Sequence, residues 1–293
     1  MYDIENIYDA RSIEEAISAL RETPGAKPVA GGTDILVSVR KGGLAGCSLV
    51  SIRDIPELAG IYRKEGAIHI GPLTTFTQLA EDSAILGRVP ILAEAALTVG
   101  GPQLRNMGTV GGNIANGATS ADMAPALLAL NAVLTIQGAS GVRLIPLTEF
   151  FVSAGKTVLA PDELITDISI RDGDYNGFYG RYIKYSQRMA MDIATLSCAC
   201  LCRLTPDLGA IGGFRLGFGV AGPVPKRAYE TEKQVTGLSV EEALNRVGRL
   251  ASEEVDPRAS WRASKEFRLA LVEELSVRAL KEAIIAGGGR TGV

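Results

Sequence analysis

The chain has 293 residues, 46% of them hydrophobic, which is enough for two or three packed units with a core in each. Its 30 Lys and Arg residues and 33 Asp and Glu residues give a net charge of −3 without a basic block, which excludes the electrostatic footprint of a nucleic-acid-binding protein. No apolar run is long enough to cross a bilayer, and the opening MYDIENIYDA lacks the basic and apolar regions of a signal peptide, so we expect a cytoplasmic protein that does not bind a membrane.

The first predicted elements are a helix and a short strand. The helix runs from Ser12 to Arg21, because its apolar residues recur at helical spacing and Ser12 with Glu15 matches a capping box. The following PVAGG is predicted as a strand that leads into a glycine turn. This turn, Val29-Ala30-Gly31-Gly32-Thr33-Asp34, contains the first of two glycine pairs that follow strand-like runs.

The middle of the chain alternates between strand and helix patterns. AIHIG is a strand in which His69 faces away from two isoleucines, and we interpret it as a surface or half-buried residue because no catalytic-triad motif accompanies it. Helices are predicted from about Thr75 to Ala80 and from Val89 to Val99. After the second glycine pair, Thr109-Val110-Gly111-Gly112-Asn113, the run MAPALLALNAVLTIQ predicts a helix and a strand, and VRLIPL another strand.

The sequence pattern changes after Arg171, where the turn-rich DGDYNGFYG indicates a candidate boundary. The strand-like runs YIKYSQ, IATLSCACLCRL and FRLGFGVAG follow. Cys198, Cys200 and Cys202 alternate along one of these runs, so they share one strand face and lack the C-x₂-C spacing of zinc or iron–sulfur sites. We interpret them as core residues rather than ligands. The tail is predicted to form two helices, Val240–Leu250 and Ser264–Ala286.

One motif is misleading. Residues 217–222, GFGVAG, match the G-x-G-x-x-G dinucleotide fingerprint. That fingerprint needs a strand before the first glycine and a helix through the third, whereas these glycines lie within a strand-like run that Pro223 and Pro225 follow. We therefore do not interpret the motif as a nucleotide site.

Both glycine pairs have the chemistry of an anion site. Glycine permits positive φ and lets an anion approach successive backbone N–H groups. Two such loops are suited to two phosphates, with Thr33, Thr109 and Asn113 as additional donors. From the local sequence alone, two ordinary tight turns remain the alternative.

Residues 99–130, VGGPQLRNMGTVGGNIANGATSADMAPALLAL, resemble the flavin-binding segment of the medium subunits of molybdenum hydroxylases. That segment reads approximately R-N-x-[AG]-T-x-G-G-N-I, followed by [ST]-x-D and an apolar helix. VAGGTDILV near the start resembles the first FAD loop of the same family. SWRASKEFRLAL near the end resembles its C-terminal signature and is especially similar to the FAD subunits of bacterial xanthine dehydrogenases.

The resemblance implies an α+β fold. It consists of a PCMH-type, vanillyl-alcohol-oxidase-like FAD-binding domain and a C-terminal domain of antiparallel sheet and helices. The FAD-binding domain would comprise two α/β subdomains, residues 1–57 and 58–174, with FAD between them. Residues 175–293 would form the C-terminal domain, similar to that of carbon monoxide dehydrogenase flavoproteins.

The resemblance also implies which residues bind FAD, and we expect non-covalent binding because neither loop contains a histidine or cysteine for covalent attachment. Asp122 matches an FAD-contacting aspartate, and Val99 stands where relatives can have an aromatic contact. Ile165 and Lys184 match positions near the flavin ring, where a cation would favour the anionic reduced flavin; for Lys184 a solvated lysine at a strand edge is the alternative. The two loops supply the remaining residues: Pro28, Val29, Ala30, Gly31, Gly32, Thr33, Asp34, Ile35, Thr109, Val110, Gly111, Gly112 and Asn113.

The implied function is electron transfer from a partner's iron–sulfur centres through FAD to NAD⁺, in a heterotrimeric enzyme of purine metabolism. Molybdopterin and [2Fe–2S] clusters are expected on a large and a small partner subunit, because the four cysteines here are too few and wrongly spaced. No residue of this chain is expected to be catalytic or to bind a metal. The FAD subunit of a hydroxylase for carbon monoxide, nicotinate or another heterocycle is an alternative, as is an assembly subunit that has lost the flavin.

Overall fold

The structure is a computed structural model that describes residues 3–291. Three sheets follow one another along the chain, with three, five and four strands, and a two-stranded ribbon lies beside the second. Helices accompany each sheet, so the predicted α+β class is confirmed. None of the helices in this range combines the length and apolarity needed to cross a membrane.

The N-terminal part is a parallel sheet with strand order β1-β3-β2. Its elements are β1 Ile4–Asp9, α1 Ile13–Glu22, β2 Lys27–Val29, α2 Ile35–Arg40 and β3 Cys47–Ser51. The first predicted helix is confirmed, with Ser12 as N-cap: its hydroxyl oxygen accepts a hydrogen bond from the Glu15 N–H (3.2 Å). The second half of the predicted capping box is wrong, because the Glu15 carboxylate accepts from the Arg11 N–H (2.8 Å).

The middle part is an antiparallel sheet with strand order β4-β5-β10-β6-β7 and helices packed on one face. Its elements are β4 Ile61–Lys64, β5 Ala67–Ile70, α3 Phe76–Glu81, α4 Ser83–Arg88, α5 Pro90–Leu97, α6 Pro102–Arg105, α7 Val110–Ala115, α8 Met123–Ala129, β6 Val133–Gly138, β7 Gly141–Pro146, β8 Phe151–Ser153, β9 Lys156–Thr157, β10 Leu164–Arg171 and α9 Asp172–Tyr175. The isoleucines of β5 are buried, whereas His69 is half-buried on the other face, with Nδ1 2.7 Å from Asp167 Oδ2.

The C-terminal part is an antiparallel sheet with strand order β11-β12-β13-β14, covered by two long helices. Its elements are β11 Tyr179–Tyr185, β12 Leu196–Leu204, β13 Ile211–Gly219, β14 Lys226–Arg227, α10 Tyr229–Val235, α11 Val240–Glu254 and α12 Lys265–Ala286. Strand β12 is buried on both faces. Its three cysteines belong to the C-terminal core, while Ala199 and Leu201 between them belong to the core of the middle part.

Helix α8 joins the middle part to the C-terminal sheet. A Cβ at Gly217 would lie 2.6 Å from the Pro125 carbonyl oxygen, and one at Gly219 would lie 2.5 Å from Ser197 Oγ. Gly217 of GFGVAG therefore allows α8 to pack closely on β13, whereas Gly219 makes room for the Ser197 side chain of the neighbouring strand β12. No helix follows them before Tyr229, so the motif is not a Rossmann fingerprint.

The strands of the three sheets fall within residues 1–57, 58–174 and 175–293, respectively. The cores do not follow the same limits. Leu58, Leu73 and Leu164 pack into the core of the N-terminal part. The two parts thus share buried surface, and the division into domains at these positions stays a prediction.

The buried cysteine strand gives a first testable prediction. Replacing Cys198, Cys200 and Cys202 together by alanine should lower the free energy of unfolding by about 1 kcal/mol per site, because each change removes a buried apolar group and leaves a small cavity. Burial raises the pKa of the Cys202 thiol to about 12, which fits a protonated core residue. Urea unfolding followed by circular dichroism measures the change, with flavin content expected to remain constant. Loss of a metal or cluster signal would overturn the core assignment.

Candidate functional site

A cleft of about 750 Å³ lies where the three parts of the chain meet. Its walls come from the loop between β2 and α2, from the segments around α6, α7 and α8, and from the loop between β11 and β12. This volume is typical of small-molecule and cofactor sites. Most residues predicted from the sequence line it: Pro28, Val29, Ala30, Gly31, Gly32, Thr33, Asp34, Ile35, Val99, Thr109, Gly112, Asn113 and Asp122.

Two close backbone approaches hold the walls together. A Cβ at Gly31 would lie 1.7 Å from the Met107 carbonyl oxygen, and a Cβ at Gly111 would lie 2.3 Å from Pro72 Cβ. Neither position has room for any side chain. These two glycines are therefore required by packing within the chain, whatever they contact in a ligand.

The loop between β2 and α2 leaves its amide groups free. Within residues 3–291, none of the backbone N–H groups from Ala30 to Ile35 donates a hydrogen bond, and Asp34 makes no side-chain cap at α2. Gly32 has a positive φ of 72°, which turns the loop in a way that other residues resist. Successive unpaired amides beside a helix N-terminus form an anion-binding nest. The geometry of residues 30–35 therefore favours an anion-binding loop over an ordinary tight turn.

The second glycine pair is built differently, because it begins α7. Val110 and Gly111 donate their amide hydrogens to carbonyl groups of the segment before α3 (3.0 and 2.9 Å), and Gly112 donates to Thr109 Oγ1 (3.1 Å). Neither glycine has a positive φ. The helix and its neighbours use these donors, so this pair is not a second loop with free amides, and its contact with FAD stays a prediction.

A second set of free amides lies where the sequence did not predict it. In the part of the chain that the structure describes, the N–H groups of Ala118, Thr119 and Ser120, between α7 and α8, donate to no other group. Thr119 is fixed by its carbonyl, which accepts from the Val220 N–H (3.0 Å). The only signal in the sequence is the run of small residues NGATSA before the predicted apolar helix.

Asp122 lies buried at the N-terminus of α8, and both of its carboxylate oxygens are engaged. Oδ2 accepts from Lys184 Nζ (2.8 Å) and Oδ1 accepts from the Tyr182 hydroxyl (3.2 Å). Burial raises the pKa of Asp122, and the charge and hydrogen bonds of these two partners act against that shift. Because Asp122 does not cap its own helix, Asn113 Oδ1 takes that place and accepts from the Met123 N–H (3.3 Å).

The structure contradicts one of the two sequence interpretations of Lys184, and its position near the flavin ring stays a prediction. Its side chain is only 6% exposed and donates to Asp122 and to the Thr98 carbonyl (3.0 Å), so it is not a solvated lysine. It is also not an isolated cation, because Asp122 balances its charge. It lies behind Asp122 rather than on the wall of the cleft.

Three further predicted residues do not line the cleft. Val110 and Gly111 are the first two residues of α7 and are buried, and Ile165 belongs to the core of the middle part. Their contact with a cofactor stays a prediction. Conversely, the sequence interpretation missed Met191, whose N–H donates to the Gly100 carbonyl (3.1 Å) and brings the β11–β12 loop to the cleft. The sequence feature that could have indicated this loop is the segment SQRMAMD, which separates two strand patterns.

These residues fit the FAD that the resemblance implies. The unpaired amides at positions 30–35 and 118–120 are donors suited to a diphosphate, and Val99, Leu104 and Ile193 offer apolar surface suited to a planar ring system. No histidine or cysteine is among the lining residues, so the site has no side chain of the kinds considered for covalent attachment.

Comparison with known proteins identifies the class. Residues 2–170 match the FAD binding domain in molybdopterin dehydrogenase, and residues 181–283 match the CO dehydrogenase flavoprotein C-terminal domain. The xanthine dehydrogenase FAD-binding subunit of Escherichia coli O157:H7 is 39% identical over 99% of both chains. The carbon monoxide dehydrogenase medium chain of Afipia carboxidovorans is 31% identical over 93% of this chain and 94% of that protein.

The fold gives the same assignment. In the crystal structure of Cu,Mo-CO dehydrogenase in its cyanide-inactivated form, a chain with 27% identity superposes with a TM-score of 0.92, over 97% of this chain and 99% of that one. The chain therefore belongs to the family of FAD-binding subunits of molybdenum hydroxylases.

The free amides give a second testable prediction. Gly32→Ala should weaken FAD binding at least about tenfold, because a side chain at positive φ costs roughly 1–2 kcal/mol and the loop relieves that strain by moving its amides. The matched control is Gly237→Ala, which also has a positive φ (91°) and open space around it but lies in the C-terminal part, outside the residues that line the cleft. Both variants should lose similar stability in urea unfolding. Equal loss of FAD affinity in fluorescence titrations of the two would contradict the assignment.

The buried ion pair gives a third prediction. Lys184→Met should lower the free energy of unfolding at pH 7.5 by about 3–5 kcal/mol, because it leaves the Asp122 carboxylate buried and unpaired. The double variant Asp122→Asn/Lys184→Met should recover most of this loss.

The pH dependence of this loss has a definite sign. In the folded protein the pKa of Asp122 is raised above its ordinary value of 3.8. Protonation of this carboxyl therefore favours the folded state below pH 3.8, and that contribution to the free energy of unfolding is lost as the pH rises through the folded pKa. Without Lys184 the pKa rises further. The stability difference between wild type and Lys184→Met should therefore be smaller at pH 4.5 than at pH 7.5, and a difference independent of pH would contradict this account.

Proposed function

We propose that this chain is the FAD-carrying electron-transfer subunit of a xanthine dehydrogenase-type complex, which connects a partner's iron–sulfur centres with NAD⁺. The observation that carries the proposal is the 39% identity to a xanthine dehydrogenase FAD-binding subunit over the whole chain. The proposed partners are a large molybdopterin-binding subunit and a small [2Fe–2S] subunit, in a cytoplasmic heterotrimer of purine metabolism.

The residues of the cleft support a role in binding and orientation. Bound FAD supplies a centre that is stable in one-electron and two-electron states. The amides of the β2–α2 loop and of residues 118–120 bind its diphosphate in this proposal. Asp122, fixed by Lys184 and Tyr182, gives that wall of the cleft a rigid and nearly neutral set of polar groups. No side chain of the chain needs to act as a general acid or base.

Other hydroxylases of the family are the competing assignment. A nicotinate dehydrogenase FAD-subunit of Eubacterium barkeri is 29% identical, and the carbon monoxide dehydrogenase medium chain of Afipia carboxidovorans 31%. Both values lie well below 39%, which favours the xanthine dehydrogenase type. A subunit that only assists assembly is disfavoured because the GGTD and GGN motifs and Asp122 are intact.

The fourth prediction separates the two half-reactions. The isolated, FAD-loaded chain should be bleached by NADH under anaerobic conditions, because hydride transfer to a flavin needs only the cleft and the nicotinamide. Xanthine should not bleach it, because the proposal places hydroxylation on the molybdenum subunit. When the three subunits are purified together, xanthine should bleach the flavin. Absorbance at the flavin maximum measures all three reactions.

Three outcomes would change the proposal. A chain that stays colourless after incubation with FAD contradicts the flavin role. A complex that ignores xanthine but is reduced by nicotinate or carbon monoxide transfers the assignment to another hydroxylase. An isolated chain that oxidises xanthine contradicts the electron-transfer role. The Gly32→Ala variant serves as the control, because the extent of its NADH reaction should fall in proportion to its lower FAD content.

A further inference from the structure

Five residues other than glycine have a positive φ within residues 3–291, and one of them is unusual. Glu65 and Leu208 lie in the turns of hairpins, where this conformation is common. Val220 (φ 65°), by contrast, is β-branched, and its side chain strongly opposes the left-handed conformation. Strain of this kind persists only where the surrounding structure requires it.

The N–H group of Val220 has a specific acceptor. It donates to the Thr119 carbonyl (3.0 Å), so the hydrogen bond joins the C-terminal part to the middle part. Val220 is buried, and the adjoining Gly219 packs against the same carbonyl, because a Cβ at Gly219 would lie 3.3 Å from the Thr119 oxygen. The strained conformation therefore coincides with a close contact between the two parts.

This contact determines the direction of a neighbouring amide. In a trans peptide unit the C=O and N–H groups point in opposite directions, and no cis peptide bond occurs within residues 3–291. The Thr119 carbonyl points to Val220, so the Ser120 N–H of the same peptide unit points away from Val220. Ser120 lines the cleft, and its N–H is one of the three free amides of residues 118–120.

The two preceding free amides are oriented in the same way. The Gly117 carbonyl accepts from the Gly155 N–H (2.9 Å). The Ala118 carbonyl accepts from the Ala121 N–H (3.0 Å). Each of the three free amides thus belongs to a peptide unit whose carbonyl is held by the protein. Of the three groups that hold these carbonyls, the Val220 N–H is the one that comes from the C-terminal part.

We propose that Val220 is a positioning residue for the cofactor's diphosphate. Its strained backbone directs its N–H to the Thr119 carbonyl and thereby holds the Ser120 N–H in place for a phosphate oxygen. The proposal rests on the function proposed above, in which residues 118–120 bind the FAD diphosphate. Val220 does not line the cleft itself, so it acts through the peptide unit that it holds.

Replacement of the Val220 amide by an ester tests the hydrogen bond directly. Incorporation of α-hydroxyvaline in place of Val220 in the full chain removes the N–H and keeps the side chain. FAD affinity should fall about tenfold, whereas the affinity for riboflavin, which has no phosphate, should stay at the wild-type level. The matched control is the same replacement at Val240, whose N–H donates to the Gly209 carbonyl (3.1 Å) away from the cleft. Fluorescence titrations measure both affinities.

Two further measurements separate the N–H group of Val220 from its side chain. Val220→Gly keeps the donor and permits positive φ, so it should retain the wild-type preference for FAD over riboflavin even where it lowers stability. In phosphorus NMR spectra of bound FAD, the ester at position 220 should shift a resonance that Val220→Gly leaves in place.

The outcomes distinguish a positioning role from a structural one. Equal losses of FAD and riboflavin affinity in the Val220 ester would overturn the proposal. An FAD loss no larger than that of the Val240 ester would overturn it too, as would a loss of FAD preference in Val220→Gly as large as that in the ester. These results leave the flavin role intact. If the wild-type chain bound no FAD, the proposed function would fail first and the positioning role with it.

Discussion

The buried ion pair between Asp122 and Lys184 is the contact on which the cleft depends. It connects the first residue before α8 with strand β11, so the middle and C-terminal parts meet where the cleft wall begins. An exposed pair of this kind would contribute little, but a buried one is costly to break because either partner alone is an uncompensated charge. Along the same helix, Gly217 lets the backbone of α8 approach β13. The ion pair sets the position of the helix end, and Gly217 sets its distance from the sheet.

The two glycine-rich segments have separate tasks. At the first, Gly31 contacts the Met107 carbonyl and leaves the following amides without partners, so this segment supplies the donors. At the second, the first amides of α7 donate hydrogen bonds to the segment before α3, and Gly111 packs against Pro72. The second segment is therefore the support against which the first is placed. Substitutions in the two segments should fail for different reasons, one through the donors and the other through packing.

Long periodic patterns in the sequence predicted the main elements well. The alternation of Cys198, Cys200 and Cys202 identified a buried strand face, and the helical spacing after Ser264 identified α12. Short helices such as α2 and α7 were not predicted, because six residues carry too little periodicity and their glycines indicate turns. The resemblance located the cleft residues, but their partners depend on contacts far apart in the chain. That Lys184 neutralises Asp122, 62 positions away, is a property of the packed fold and cannot be read from either segment.

The free amides also matter for the stability of the protein if FAD binds as proposed. The N–H groups from Ala30 to Ile35 make no hydrogen bond within residues 3–291, so a ligand in the cleft can pair with them. A ligand that binds only the folded state stabilises it by about 2.7 kcal/mol at a hundredfold excess over Kd. Because the cleft walls come from all three parts of the chain, that stabilisation applies to their joint arrangement. Binding of a ligand in this cleft, as proposed for FAD, is therefore thermodynamically coupled to the docking of the N-terminal part on the middle part, where Gly31 contacts Met107.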